Sequence, residues 1–444
     1  MKFQYITNKK PTIRFFNNPR DFDACKFKHK FLLNKSSHGY LDTLDSFSMI
    51  KRIINDGTDN IICDMSLLTL SQKASFAFMA SKHFFSLSTY KTNSKDKEDN
   101  TLSFLDLITT QKFWDSVCSK IGSADIAKVL ASEPSNVVYP EEFCKRVVKL
   151  FKGNTRVNIK VYDEKQIEKM GLGLIVGVGK GSAKKPRFLI IDLNSNETYK
   201  KTICLCGKGV CFDSGGYDLK GNMRKMHGDK SGGALVVGLL HYFAFKTFKT
   251  KNRIVGIIPL VENLINGQAA KTSDILTAYD KQTIEILDTD AEGRLILADS
   301  IAYACKNFKP DIIMDFATLT SWASYMHCDA SYVFYSNNDK LGALVNKIGT
   351  SVGERNIQMP NWPEYIRYTK SAVADLKNAD YKCKNGNTGG SGYMAAMFMM
   401  NFVNPPNLNW IHFDMALNNN VDNPYLSEVN GIYTGMYLLE RLNK

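Results

Sequence analysis

The chain has 444 residues, 44% hydrophobic and 23% charged, an ordinary balance for a globular protein and more than one ordinary domain's worth of chain. No apolar run approaches the ~18 residues needed to cross a bilayer, and Met1–Lys10 lacks an apolar stretch behind its basic residues. Together these argue against a membrane or secreted protein and for a cytoplasmic one. The net charge of +13, of which +7 falls on residues 1–153 and +6 on the rest, contains no run of five or six like charges. A solvated basic surface accounts for it, with nucleic-acid binding or regulation kept as an alternative, additional role.

Residues 1–135 mix short strand-like runs (Thr12–Phe16, Asn60–Asp64) with a helical one (Leu67–Ser81). They read as a smaller N-terminal α/β domain without a chemical constellation. Lys26, Lys28, Lys30 and Lys35 are its closest approach to a basic patch, and the polar stretch Lys91–Asn100 reads as an exposed loop. Pro134, Ser135 and Asn136 then break the chain. Pro140-Glu-Glu opens a helix that carries Phe143, Val147, Val148 and Phe151 on one side and closes at Gly153, so residues 136–156 are expected to form a linker helix.

From residue 157 to 444 the pattern changes to apolar strands alternating with helices. The strands are expected at Phe188–Asp192, Thr202–Cys206, Arg253–Leu260, Thr283–Leu287, Asp311–Phe316 and Trp410–Phe413. The helices are expected at Gly233–Lys246, Arg294–Asn307 and Tyr393–Val403. Strands apolar throughout imply a sheet covered on both faces. The fold class is therefore α/β: two domains, the second a catalytic domain with a mixed, mostly parallel central sheet flanked by helices. In such sheets, polar residues just past the strand ends build the site.

Two segments fit that rule. After Thr202–Cys206 comes Gly-Lys208-Gly-Val-Cys-Phe-Asp213-Ser-Gly-Gly-Tyr-Asp-Leu-Lys220, and after Thr283–Leu287 comes Asp288-Thr-Asp290-Ala-Glu292-Gly-Arg294. Carboxylates packed this closely repel and call for cations between them. An oxygen-rich set suits a pair of divalent ions, which lower the pKa of a bridging water and polarise a carbonyl, so hydrolysis is the natural chemistry. Asp-Ser-Gly-Gly and Thr-Asp-Ala-Glu could equally cap helices. Spacing alone does not decide between metal and cap.

Other motifs are weaker. Gly177-Val-Gly-Lys-Gly-Ser182 resembles a phosphate loop but would need Gly at Leu174 and Ser or Thr at Gly181, so it reads as a glycine-rich turn. The seven histidines contain no H-E-x-x-H, and His412, inside an apolar strand, reads as a core histidine. Ser214 lies in D-S-G-G rather than in a G-x-S-x-G elbow. The ten cysteines contain no C-x-x-C pair and read as reduced thiols.

Thr289 to Leu295 match, unbroken, the N-T-D-A-E-G-R-L signature of the M17 leucyl aminopeptidase family, also called the cytosol aminopeptidase family. The chain resembles that family over residues 132–440. The likeness includes Asp163-Glu-Lys-Gln, Glu262-Asn263, Gln282-Thr283, Ala317-Thr-Leu-Thr320 and Ala374-Asp-Leu-Lys-Asn378. The resemblance implies a metal-dependent exopeptidase acting on peptide substrates, with two divalent ions (Zn2+ or Mn2+) per subunit, a homohexamer, and an N-terminal domain serving assembly.

It also implies residue roles. Lys208, Asp213, Asp229 and Glu292 would hold the tighter metal, with Asp213 and Glu292 bridging, and Asp290 would complete the more exchangeable one. A ligand lysine must be neutral, which an adjacent dication allows. Asp229 would face the substrate's α-amine, Lys220 would stabilise the developing oxyanion, and Arg294 would hold a bicarbonate acting as general base. Met226, Thr318 and Ser321 would line the first side-chain pocket, with apolar residues preferred. Three features depart from the family: Asp288 replaces its Asn, the loop from Lys220 to Asp229 is two residues shorter, and Ser321, followed by Trp322, stands where glycine is usual.

Overall fold

In the computed structural model the described residues of the first part of the chain are 2–6, 13–16, 30–32, 60–65, 68–83, 85, 87, 90 and 101–105. From residue 110 onward all are described except 196, 246–249, 322–330, 381–390, 416–418, 421–422, 428 and 444. Lys26, Lys28, Lys35, Lys91–Asn100 and Trp322 therefore lie outside the described residues. By packing, the chain divides into one unit of residues 1–125 with 347–355 and a second of 126–346 with 356–444.

The first unit carries a sheet of β1 (Lys2–Ile6), β2 (Ile13–Phe16), β3 (Lys30–Leu32), β4 (Asn60–Asp64) and β5 (Thr101–Leu105), in the order β1-β5-β4-β2-β3 with parallel pairings. Its helix α1 spans Leu70–His83. A longer helix, α2 (Gln111–Ser132), was not anticipated. Its signal is nonetheless present, since Trp114, Val117, Ile121 and Ala124 are buried at helical spacing. Interleaved Lys120, Ser123 and Lys128, themselves buried, obscure that stripe.

The second unit begins within α2, at residue 126, and continues with α3 (Pro140–Leu150), which carries its proline at the first helical position as expected. Its central sheet contains β6 (Val157–Tyr162), β7 (Arg187–Leu193), β8 (Thr202–Gly207), β9 (Gly209–Asp213), β10 (Arg253–Asn263), β13 (Ile312–Ala317), β14 (Tyr332–Ser336), β15 (Asn356–Gln358) and β17 (Asn409–Asp414). The order is β15-β14-β17-β13-β8-β10-β7-β6, with β9 pairing onto β10. The pairings β17–β13, β13–β8, β8–β10, β9–β10 and β14–β15 are parallel; β10–β7, β7–β6 and β14–β17 are antiparallel. The mixed, mostly parallel sheet expected from the apolar strands is what the chain builds. A separate small sheet joins β11 (Ile275–Thr277), β12 (Thr283–Glu285) and β16 (Leu376–Lys377).

Helices cover both faces of the central sheet. Cys204, Cys206, Val255 and Ile257 share one core with Leu295, Ile296 and Ile301, which belong to α7 (Glu292–Phe308). Gly256 points the other way, because a Cβ there would lie 2.4 Å from Leu240 of α6 (Ser231–Phe245). Residues that alternate along a strand thus meet different helices, as the two-residue period requires. After β8 the chain returns through α6 to β10 on one side of it; after β10 it returns through α7 to β13 on the other. The carboxyl end of β8 is therefore a topological switch point.

One expectation is corrected. Gly177-Val-Gly is not a turn: it ends helix α5 (Gly173–Gly179), after α4 (Glu164–Met170). A Cβ at Gly177 would fall 2.4 Å from Leu276 and one at Gly173 2.2 Å from the Thr277 carbonyl. The glycines let this short helix press against β11. The remaining helices are α8 (Asp339–Val352), α9 (Ser391–Met400) and α10 (Ile432–Leu442). No described helix is long and apolar enough to cross a membrane.

Candidate metal centre

The two predicted segments meet at the switch point. Lys208 leaves the end of β8, Asp213 ends β9, and Glu292 opens α7. Asp229 follows a single 3-10 turn (Met226–Gly228) just before α6. Close backbone packing allows the convergence: a Cβ at Gly232 would stand 2.0 Å from the Phe316 carbonyl, and one at Gly293 2.6 Å from Cε of Lys208. Gly215 and Gly216, at φ of +88° and +66°, turn the chain back after Asp213 in a conformation that residues with a Cβ rarely adopt.

Carboxylate oxygens of Asp213, Asp229 and Glu292 all lie within 4.8 Å of one another, and all three residues are buried. Lys208 Nζ sits 2.8 Å from Asp229 Oδ2, 2.9 Å from Glu292 Oε1 and 2.8 Å from the Thr318 carbonyl oxygen. Lys220 Nζ sits 2.8 Å from Asp213 Oδ2 and is paired with Asp290. The cluster thus has two lobes, Lys208–Asp229–Glu292 and Lys220–Asp213–Asp290.

Four carboxylates face two ammonium groups, a formal excess of two negative charges in a largely buried space. The titration shifts express that imbalance. Burial, together with Asp213 and Glu292, raises the Asp229 carboxyl against the pull of Lys208. Burial raises Asp290, with Glu292 and Asp213 adding to it, and burial with Asp213 raises Glu292. Burial opposes the charges on Lys208 and Lys220, yet the surrounding carboxylates outweigh it and hold both above ordinary lysine. Glu292 Oε2 is buried without a hydrogen-bond partner. Buried, mutually repelling carboxylates with a spare oxygen are a donor set that fits divalent cations.

The surrounding residues hold the acids in place. Asn263, at the end of β10, donates from Nδ2 to Asp213 Oδ1 (2.9 Å) and to the Thr289 carbonyl (3.0 Å), tying the two segments together. Thr318 donates to Asp229 Oδ1 at 2.7 Å. Asp414, at the end of β17, accepts from the backbone N–H groups of Leu319 and Thr320 and from the Thr320 hydroxyl, which fixes the loop bearing Thr318. Thr318 is buried, Met226 is half-buried and Ser321 is exposed.

Arg294 is buried in the first turn of α7. Its Nη1 donates to the Asn378 carbonyl at 2.8 Å and its Nε has no hydrogen-bond partner. Burial lowers its pKa while Asp288, Glu292, Asp414 and Asp290 counteract. Asp288 is buried too, and its Oδ1 accepts from the backbone N–H of Asp290 at 2.9 Å. The residue that departs from the family pattern therefore shapes the turn that carries Asp290. His412 lies inside the core: its Nδ1 is 2.5 Å from Asp315 Oδ1, while Trp410 donates to Asp315 Oδ2 at 2.7 Å. Sequence reading placed Asn378 in a family motif without giving it a role and passed over Asp414, for neither shows a function until its contacts are seen.

Comparison with known proteins gives this arrangement a family. The model of the cytosol aminopeptidase family catalytic domain matches residues 125–438. A probable cytosol aminopeptidase of Nitrobacter hamburgensis is 37% identical over 372 residues, covering 82% of this chain and 72% of that protein. One of Bradyrhizobium sp. is 36% identical over 403 residues, covering 88% and 78%. Among solved structures, a bottromycin maturation enzyme in complex with Mn superposes with a TM-score of 0.78 at 26% identity, covering 88% of this chain and 86% of the other. The leucine aminopeptidase of Caenorhabditis elegans shares the fold with a TM-score of 0.85 at 19% identity, covering 99% and 98%. An acidic cluster at a sheet's switch point and a family match over most of the chain agree: the protein belongs to the cytosol aminopeptidase family and is an aminopeptidase.

Proposed function

We propose that this aminopeptidase uses two divalent metal ions to remove N-terminal, preferentially apolar, residues from peptides in the cytoplasm. The observation that carries the reading is the two-lobed cluster of four carboxylates with two uncompensated negative charges. Lys208, once a cation displaces the proton that the surrounding carboxylates otherwise hold on it, would join Asp213, Asp229 and Glu292 in holding one ion, and Asp290 would share Asp213 and Glu292 in holding the other. The related maturation enzyme solved with Mn supports manganese, and zinc suits the same donors. When bound, the ions would polarise the scissile carbonyl and acidify water.

The chain's own side chains supply the rest. Asp229 would also face the substrate's free α-amine, which an internal peptide lacks, so cleavage would be confined to the terminus. Lys220, whose ammonium lies beside Asp213 and Asp290, would stabilise negative charge developing on the carbonyl oxygen. Arg294 has an unpaired Nε and would orient a planar anion such as bicarbonate as the proton acceptor. Met226, Thr318 and Ser321 would border the side-chain pocket.

Replacing the acids one at a time tests the reading. Asp290→Ala and Glu292→Ala should each abolish turnover of an aminoacyl amide while leaving the far-ultraviolet circular-dichroism spectrum near wild type. Near-normal rates in either would dismiss the ligand assignment. A homohexamer assembled through the N-terminal domain remains part of the proposal and is read by light scattering. The +13 charge keeps nucleic-acid binding as an additional role, which predicts duplex affinity falling steeply with salt. No binding at low salt would remove it.

A further inference from the structure

We propose that Asn378 is a positioning residue that sets the metal-holding turn and Arg294 in one geometry; the inference rests on the two-metal reading above. Asn378 follows directly on β16, which pairs with β12, the strand leading into Asp288–Glu292. Its side chain is fully buried and its amide is used to capacity. Oδ1 accepts from the backbone N–H groups of Leu287 (2.8 Å) and Asp288 (3.3 Å). Nδ2 donates to the Asp288 carbonyl (2.6 Å) and reaches the Ala291 carbonyl (3.5 Å). Its own backbone N–H donates to Glu285 (3.1 Å), and its own carbonyl accepts from Arg294 Nη1 (2.8 Å).

One residue thus grips the turn on both sides of Asp290 and holds the arginine that follows Glu292. A neutral amide is required for this, because two of its partners are N–H donors and two are carbonyl acceptors. An aspartate would keep the acceptor but set an anionic oxygen against two carbonyls, and an alanine would leave four backbone groups without their partner. Partners behind a ligand typically change metal affinity or activity by about 10–100-fold when removed. Asn378 touches no reacting atom; it acts through Asp290, Glu292 and Arg294.

The test measures binding of Mn2+ and Zn2+ to metal-stripped protein by competition with a chromogenic chelator, alongside kcat and KM for an aminoacyl amide. The control is Asn194→Ala. Asn194 is equally buried, donates to the Thr250 and Asn252 carbonyls and accepts from Arg156. It lies beside the start of β10, roughly 30 Å along an 11-residue strand from the site. Asn378→Ala and Asn378→Asp are expected to weaken metal affinity and lower kcat, each by ~10–100-fold, with KM changing little. Asn194→Ala is expected to lower the melting temperature without either effect. If Asn378→Ala does not fold, Asn378→Ser, which keeps a short hydroxyl in place, is read the same way.

Metal affinity and kcat that match the Asn194→Ala control would overturn the positioning role alone. Wild-type protein that fails to take metal from the chelator would overturn the two-metal reading, and this inference with it.

Discussion

At the scale of single residues, the site is a problem of charge. Asp213, Asp229, Asp290 and Glu292 are brought together although burial and neighbouring carboxylates disfavour ionisation of Asp229, Asp290 and Glu292, and Lys208 and Lys220 offset only half of their charge. Stability is expected to suffer from this in metal-free protein, so adding Mn2+ or Zn2+ should raise the melting temperature with concentration, as binding to the folded state requires. A melting temperature indifferent to metal would contradict the fit. Asp213, Asp290 and Glu292 were legible in the sequence because a strand end, a glycine and a carboxylate recur together in both segments, whereas Asp229 came only from the family resemblance. Asp288 was legible only as a departure; its contact with the Asp290 N–H shows what it does in the fold.

His412 gives a second residue-scale prediction. Burial works against its proton, but Asp315 and their hydrogen bond outweigh it and leave its pKa above the ordinary histidine value. A raised folded-state pKa means that the protonated form stabilises the fold fully below the unfolded-state value and that this contribution is lost as pH rises through the folded-state value. In urea unfolding, the stability advantage of wild type over His412→Gln should therefore shrink between acidic and alkaline pH. An advantage that grows with pH would reverse the assignment.

At the scale of elements, strands were easier to read than the glycine-rich helix. Thr202–Cys206 and Arg253–Leu260 are apolar throughout because both of their faces are covered, and the structure extends them only to Gly207 and Asn263. Three glycines and three β-branched residues in Gly-Leu-Ile-Val-Gly-Val-Gly give α5 little helical propensity to announce it. What holds it is tertiary: Asp299 of α7 accepts from the backbone N–H groups of Leu174 (2.9 Å) and Ile175 (3.1 Å), near the start of α5, and of Tyr279 (2.8 Å). A side chain 125 positions away cannot be seen as a cap in a linear reading. Asp299→Ala would leave these N–H groups without their carboxylate and should cost about 1–3 kcal/mol in denaturant unfolding. A change within experimental error would show that the carboxylate does not stabilise α5.

At the scale of the molecule, topology places the chemistry. The chain leaves β8 toward α6 on one side and comes back through α7 on the other, so residues at or just past the carboxyl ends of β8, β9, β10, β13 and β17 meet around one cluster. Each contributes: Lys208, Asp213, Asn263, Thr318 and Asp414. The alternation of strands and helices foretold an α/β sheet, but not which ends would converge, because order across a sheet depends on pairings that no local pattern records. Asn378 shows the same limit, reaching the site from a two-residue strand outside the central sheet. The most direct measurement of the whole account is metal content against turnover. Protein stripped by chelator should lose hydrolysis of an aminoacyl amide and regain it as Mn2+ or Zn2+ is titrated back, saturating at two ions per chain. Full turnover by protein shown by elemental analysis to be metal-free would contradict it.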